Sequence, residues 1–358
     1  MWPDRRLMDL FKTEYPIVLA PLAGVADSEL AIAAAEGGAL GSLACAMLSP
    51  EKAREQVNIF RQRVSAPINM NFFSHKAVNA DPAREATWRQ RLAPYFRELG
   101  LDSGATINAA NRAPFDDALC DVVEELKPEV VSFHFGLPDK RLLDRVKATG
   151  CVVISSATTV KEAVWLESHG VDAVIAQGAE AGGHRGMFLT DNIGEQPGTF
   201  ALVPQIADAV KVPVIASGGI ADGRGIAAAF ALGASGVQIG SAYLRCPESK
   251  VNAMARVALA EARDDSTVIT NVMTGRPARG VQNRVMREVG PIAIEAPAFP
   301  HAATALGPLK VAAEKLGRVD FTNLWAGQAI GMAREVPASE LTRDLAKTAL
   351  ARLRQIAG

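Results

Sequence analysis

The chain has 358 residues, 49% apolar and 22% charged, which is enough for one large α/β barrel or two smaller domains. A formal net charge of −1 leaves no basic field for a phosphate backbone, and 6% aromatic content leaves few platforms for bases, so no nucleic-acid partner is expected. The opening Met1 to Pro16 holds no signal-type apolar core and no run approaches the ~20 residues of a membrane span, so a cytoplasmic protein with no membrane partner is expected.

The first apolar run, 17–20, reads as a buried strand, and Asp27 and Ser28 offer caps to a helix over 30–36. A second run, 39–42, precedes Ser49-Pro50, a cap followed by a first-turn proline, which opens a helix over 50–64. The third run is 68–72. The stretch 73–129 is too long for one crossover, so two helices are expected near 84–99 and 115–126, with a loop at 101–113. Strand runs follow at 130–135, 152–155, 173–177, 214–217 and 236–240. Helical spacing over 159–169 stops at Gly170, and that over 222–232 stops at Gly233.

Eight strands with helical returns predict an α/β protein of the (β/α)8 TIM-barrel type over 1–244. An open doubly wound sheet would carry Gly-x-Gly-x-x-Gly after its first strand, whereas this strand ends Ala20-Pro21-Leu22-Ala23-Gly24-Val25. Strand signals fade from about 245. Helical patterns near 248–262 and 303–316 predict a small, mostly helical addition at the barrel mouth over 245–320. The segment 321–358 is expected to hold a closing barrel helix near 321–332 and a C-terminal helix after 337.

The densest chemical signal follows the sixth strand. Gln177 opens a loop with glycines at 178, 182, 183 and 186 that frames His184 and Arg185. Glycines there allow close backbone approach, and a polar strand end with a histidine-bearing loop suits a barrel active site. His184 is the foremost base candidate, since a neutral imidazole can take a carbon-bound proton. Arg185 either points outward or pairs with a carboxylate such as Glu180. Alternation along 130–135 sets His134 on the face opposite Phe133 and Phe135, looking into the barrel near its mouth. His134 is thus either a substrate or cofactor contact or a satisfied core residue.

The seventh and eighth strands end in Ser217-Gly218-Gly219 and Gln238-Ile239-Gly240-Ser241. Loop amides and a short helix start at these positions suit a phosphate. A flavin mononucleotide would also use the carboxamides of Asn69, Asn71 and Gln177 and the backbone of Pro21 to Gly24, while a phosphosugar would need only the phosphate end. Cys45, Cys120, Cys151 and Cys246 form no Cys-x-x-Cys pair and no cluster with zinc spacing, so reduced thiols and no metal are expected.

The chain resembles the nitronate monooxygenase family, FMN-dependent TIM barrels once called 2-nitropropane dioxygenases. The resemblance rests on Ala20-Pro-Leu-Ala-Gly-Val25, Glu36-Gly-Gly-Ala-Leu-Gly41, Gln177-Gly-Ala-Glu-Ala-Gly-Gly-His-Arg-Gly186, Ala216-Ser-Gly-Gly-Ile-Ala-Asp-Gly223, Gly236-Val-Gln-Ile-Gly-Ser-Ala-Tyr243, Thr274-Gly-Arg-Pro-Ala-Arg279 and Trp325-Ala-Gly-Gln328. It implies FMN as cofactor, held by Asn71, Gln177, Gly182, Gly219, Gln238, Ile239, Gly240 and Ser241, to which the strand-end reading adds Pro21, Leu22, Ala23 and Gly218. It implies His184 as the catalytic base toward nitroalkanes and His134 as a second active-site histidine. The implied reaction converts alkyl nitronates, propionate-3-nitronate among them, with O2 to a carbonyl compound and nitrite, without a metal. Leu19 and Leu22 stand where family members often carry Gln and Met, which makes the ring surroundings more apolar. FMN-dependent NAD(P)H:quinone reductases and enoyl-thioester reductases share the fold and stand as the alternative. Oligomeric state stays open, a homodimer included.

Overall fold

The computed structural model describes residues 1–104 and 112–357; of the loop expected over 101–113, residues 105–111 lie outside the described residues. Eight parallel strands form the centre: β1 Ile17–Leu19, β2 Gly41–Ala44, β3 Ile68–Phe73, β4 Val130–His134, β5 Val152–Ala157, β6 Ala173–Gln177, β7 Val214–Ser217 and β8 Gly236–Ile239. From β2 to β8 each strand pairs in parallel with its chain neighbour, and β8 returns to β1 with Val18 opposite Gln238. The last seam, β1 to β2, closes through Leu40, whose amide donates to the Ile17 carbonyl at 2.9 Å and whose carbonyl accepts the Leu19 amide at 3.0 Å. The expected barrel is therefore the observed one. Its strands are buried on both faces, which is why they read as continuous apolar runs.

Most helices between strands begin on side-chain caps, those expected at Asp27 and Ser49 among them. Asp27 accepts the Glu29 amide at the head of helix Ser28–Glu36, and Ser49 with Pro50 opens helix Pro50–Arg63. Thr159 caps Val160–Ser168 and Asp222 caps Gly223–Ala231. Where the strands begin, Leu7 and Phe11 of the N-terminal helix Arg6–Phe11 pack with Val18, Val130, Ile154 and Ala173 and plug that end. The opposite end stays open for a site.

Three expectations need correction. No α-helix occupies 321–332, which is irregular apart from a short 3-10 turn at Ile330–Met332. The closing barrel helix is Ala338–Ala357, packed between Ser28–Glu36 and Gly223–Ala231. Its seat requires glycine: a Cβ at Gly223 would lie 2.4 Å from the Ala349 nitrogen, and one at Gly37 would lie 2.6 Å from Thr342 Cβ. Second, the region after 245 is not free of strands. Thr267–Thr270 and Ala278–Val281 form an antiparallel hairpin that captures Gly183–His184 as a third strand. Third, β4 ends at His134, and Phe135 turns into left-handed backbone at φ 73°. Its ring joins Phe73 and Phe299 at the mouth, while Phe133 stays in the outer core with Phe115.

The helix Pro82–Glu98 shares its core with the addition. Trp88, Leu92 and Phe96 pack with Val272, Met273, Leu306, Leu309 and Phe321, and the Trp88 indole donates to the Ala302 carbonyl. A loop crossing out of β3 and the segment after β8 thus jointly roof one side of the barrel mouth.

Candidate active site

The C-terminal ends of the strands open into a cavity of about 400 Å³, within the size range of ligand pockets. Pro21, Leu22 and Ala23 follow β1, Asn71 ends β3, His134 ends β4, Gln177 ends β6, Gly218 and Gly219 follow β7, and Gln238, Gly240 and Ser241 end β8; all line it together with Gly182 and His184. Of the expected site residues Asn69 and Ile239 are turned away. Asn69 is buried inside the barrel below the cavity, its amide donating to Ser42 Oγ at 2.9 Å. The Ile239 side chain lies in the barrel core and its carbonyl accepts the Ala20 amide at 2.8 Å.

His184 is placed by three contacts. Its backbone pairs with Ala278 of the hairpin, and its carbonyl accepts the Gln177 carboxamide at 2.9 Å and His134 Nε2 at 3.0 Å. Its own Nε2 lies 3.0 Å from the Thr274 hydroxyl, which donates onward to the Arg276 carbonyl at 3.4 Å. A hydroxyl that spends its proton there accepts from the ring, so the pattern assigns hydrogen to Nε2 and the lone pair to Nδ1. Among the described residues no group bonds Nδ1, which leaves it for a ligand. Burial, then the positive charge of Arg112 and the nearby His134 and Arg276, hold the His184 pKa well below the usual imidazole range. At neutral pH the ring is uncharged and able to accept a proton.

His134 is differently placed. Nε2 must donate to the His184 carbonyl, so Nδ1 accepts the Ser156 hydroxyl at 2.8 Å. Burial holds its pKa down to about 3. With both nitrogens engaged, the ring orients the His184 backbone. Gln177 does the same from below: its Nε2 serves the His184 carbonyl and its Oε1 accepts the Gly186 amide at 2.7 Å. Arg185 neither points outward nor pairs with Glu180. It is fully buried, donating at 2.6 Å to the carbonyls of Gly178 and Gln177, and Glu180 instead accepts the Thr199 amide and hydroxyl. The loop is thus anchored from behind by a guanidinium and in front by two side chains, which fixes the ring in space.

The opposite end of the cavity has the donors an anion needs. The amides of Gly219, Gly240 and Ser241 donate to no protein acceptor among the described residues. Ser241 opens a 3-10 turn, Ser241–Arg245, with no side-chain cap. The starts of Thr199–Ala209 and Gly223–Ala231 are already met by the carboxylates of Glu180 and Asp222, so the cradle is made of loop amides rather than those two helix ends. Gly219 holds φ 69°, a left-handed conformation natural to glycine. Gln238 Oε1 is buried without a partner at the cavity wall, an orphan that a ligand N–H would satisfy. These groups fit a phosphate joined to a ring with hydrogen-bonding edges. Two expected contacts are spoken for otherwise: the Asn71 amide donates to Ser132 Oγ at 2.9 Å, and Gln177 serves the loop. Gly182 is demanded by packing, because a Cβ there would lie 2.5 Å from the Ala326 and Gly327 backbone.

Sequence reading missed Phe73, Phe299, Trp325 and Arg112, which wall the mouth around His184. Phe73 ends β3 and Trp325 opens the Trp325-Ala-Gly-Gln328 motif, but neither fact gives the direction of the ring, and Phe299 and Arg112 lie in irregular stretches where spacing says nothing about direction.

Fold and site define a β/α-barrel enzyme that works at the C-terminal ends of its strands. Comparison with known proteins narrows the class. The nitronate monooxygenase family model matches residues 4–348. A nitronate monooxygenase from Pseudomonas aeruginosa is 42% identical over 342 residues, covering 95% of this chain and 97% of that protein. A nitroalkane oxidase from Streptomyces ansochromogenes superposes with a TM-score of 0.88 at 36% identity, covering 99% of this chain and 100% of the other. FabK from Thermotoga maritima superposes with a TM-score of 0.75 at 28% identity, covering 100% and 99%. The chain belongs to the nitronate monooxygenase family of FMN-dependent TIM-barrel oxidoreductases. Among the described residues no helix is long and apolar enough to cross a membrane, and no cluster of His, Cys, Asp and Glu is arranged to hold a metal ion.

Proposed function

We propose that the protein binds FMN and oxidises alkyl nitronates, propionate-3-nitronate among them, with O2 to a carbonyl compound and nitrite. The supporting observation is the pairing, in one cavity, of a free amide cradle at Gly219, Gly240 and Ser241 with a neutral His184 whose Nδ1 is unengaged. FMN bound there would supply the electron exchange with substrate and O2. Pro21 to Ala23, Gly218, Gly219, Gln238, Gly240 and Ser241 would hold it, with Asn71 and Gln177 bordering its ring. His184 removes the carbon-bound proton when the substrate arrives as a neutral nitroalkane, and steadies the anion when it arrives as a nitronate. His134 and Thr274 hold that imidazole in one orientation and one tautomer. The aromatic wall of Phe73, Phe135, Phe299 and Trp325 keeps water from the reacting carbon. The purified protein is expected to be yellow, to release about one FMN per chain on denaturation, and to form nitrite from a nitronate under air. A colourless protein that takes up no added FMN would overturn the reading.

A further inference from the structure

Four arginines surround the site: Arg112, Arg185, Arg276 and Arg279. Three have other work. Arg185 donates to Gly178 and Gln177, Arg279 to Ala179 and Thr267, and Arg276 to Met187 while lying 4.0 Å over the Phe135 ring. Each of these three also feels a carboxylate, Glu180, Glu162 or Asp191. Arg112 differs. It lines the cavity, its Nη1 is buried with no hydrogen-bond partner, and burial alone lowers its pKa, with no carboxylate within electrostatic reach among the described residues. The residues just before it, Ala105 to Asn111, include no acidic side chain. Its guanidinium lies 5.9 Å from the centre of the Phe299 ring, on the cavity side from which it depresses the His184 pKa.

A guanidinium cannot lose its charge at working pH, and a buried charge without a counter-charge is strongly destabilising. The missing partner is therefore to be sought in what the cavity binds. We propose that Arg112 is a specificity-determining residue that pairs with a second anionic group on the substrate, a carboxylate at the end remote from the reacting nitronate carbon. This rests on the nitronate reading for the reacting end, but the anion subsite stands by itself. A planar carboxylate can accept two parallel N–H bonds from the Arg112 fork. With His184 facing one end of the substrate and Arg112 the other, short nitronates with an anionic tail are favoured over those with an alkyl tail.

The test compares ligands matched in shape. Succinate resembles 3-nitropropionate, and butyrate resembles 1-nitropropane with one carboxylate in place of the nitro group. Binding of each to the FMN-loaded protein is followed by calorimetry and by the flavin spectrum. Wild type is expected to bind succinate roughly 10- to 100-fold more tightly than butyrate. Arg112→Met should abolish that preference and Arg112→Lys should retain part of it. In turnover, Arg112→Met should raise KM for propionate-3-nitronate by a similar factor and leave kcat/KM for propyl-1-nitronate within about 3-fold. Wild type binding succinate no better than butyrate would overturn the proposal without need of any variant. Equal losses on both nitronates in a folded Arg112→Met protein would overturn it too. If succinate preference and its loss in Arg112→Met are found but no nitronate is turned over, the subsite stands and the reaction assignment fails.

Discussion

Replacing His184 with Asn separates its two roles. The imidazole is buried, neutral and oriented by Thr274, with Nδ1 free, so it is built to accept a proton. Removing a general base costs ~10²–10⁴-fold, or about 3–5 kcal/mol at 1.36 kcal/mol per tenfold. That loss should fall on kcat/KM for neutral nitroethane. A preformed ethyl nitronate has already lost the proton, so His184 serves it with no more than a hydrogen bond. Its loss should therefore stay within roughly tenfold, the size of one hydrogen bond. FMN content should be unchanged, because the amide cradle lies on β7 and β8. The assay is nitrite release and O2 uptake with each substrate form, before the two equilibrate. Equal losses on both forms would show that His184 only shapes the pocket.

Gly219→Val places a branched residue at φ 69°, where the neighbouring Glu180 Cβ leaves 3.6 Å of room, so strain and a blocked cradle rather than a core clash are expected. Flavin stoichiometry should fall in a protein whose circular dichroism is native; full FMN in that variant would place the phosphate elsewhere. Gly182→Val should instead unfold the roof, since its Cβ meets the Ala326–Gly327 backbone at 2.5 Å, and thermal melting should drop by several degrees even without FMN. His134 has a folded pKa of about 3, below the ~6.5 of an unfolded histidine, so the unfolded chain binds the proton more tightly. Its contribution is full above pH ~6.5 and declines as pH falls toward about 3, by at most ~1.4 kcal/mol per unit. Urea titrations should show a shallower acid slope in His134→Gln; an unchanged slope would mean the ring is charged in the folded state. For His184, lowered in the same direction, kcat/KM on neutral nitroalkanes should stay flat as pH falls through 6.5, where an ordinary imidazole would lose activity.

The barrel was legible because the strands are buried on both faces and most return helices, Thr199–Ala209 excepted, begin on a side-chain cap, both local properties. The strand-end placement of Gln177, Gly219, Gln238 and Gly240 followed from counting strands. Direction was not legible. Alternation fails at Phe135 because the strand ends one residue earlier and the backbone turns left-handed there. The closing helix was misplaced because Ala338–Ala357 is fixed by contacts with Gly37 and Gly223, each more than a hundred residues away in sequence. In the hairpin that positions His184, Thr267-Val268-Ile269-Thr270 is β-branched throughout but only four residues long, and its partner Ala278-Arg279-Gly280-Val281 has neither alternation nor β-branched density, so the pair was not legible. Gln177 read as a ligand contact because a carboxamide at a strand end serves a loop as readily as a cofactor.

The most direct measurement is product analysis of the FMN-loaded protein given propionate-3-nitronate in air, set beside anaerobic mixing with NADH and NADPH. The account predicts O2 consumption with nitrite and a carbonyl product well above that of free FMN, and a flavin spectrum that neither nucleotide bleaches rapidly. Rapid bleaching by a nucleotide, with no nitrite above the free-FMN background, would contradict it and make the protein a reductase of the same fold.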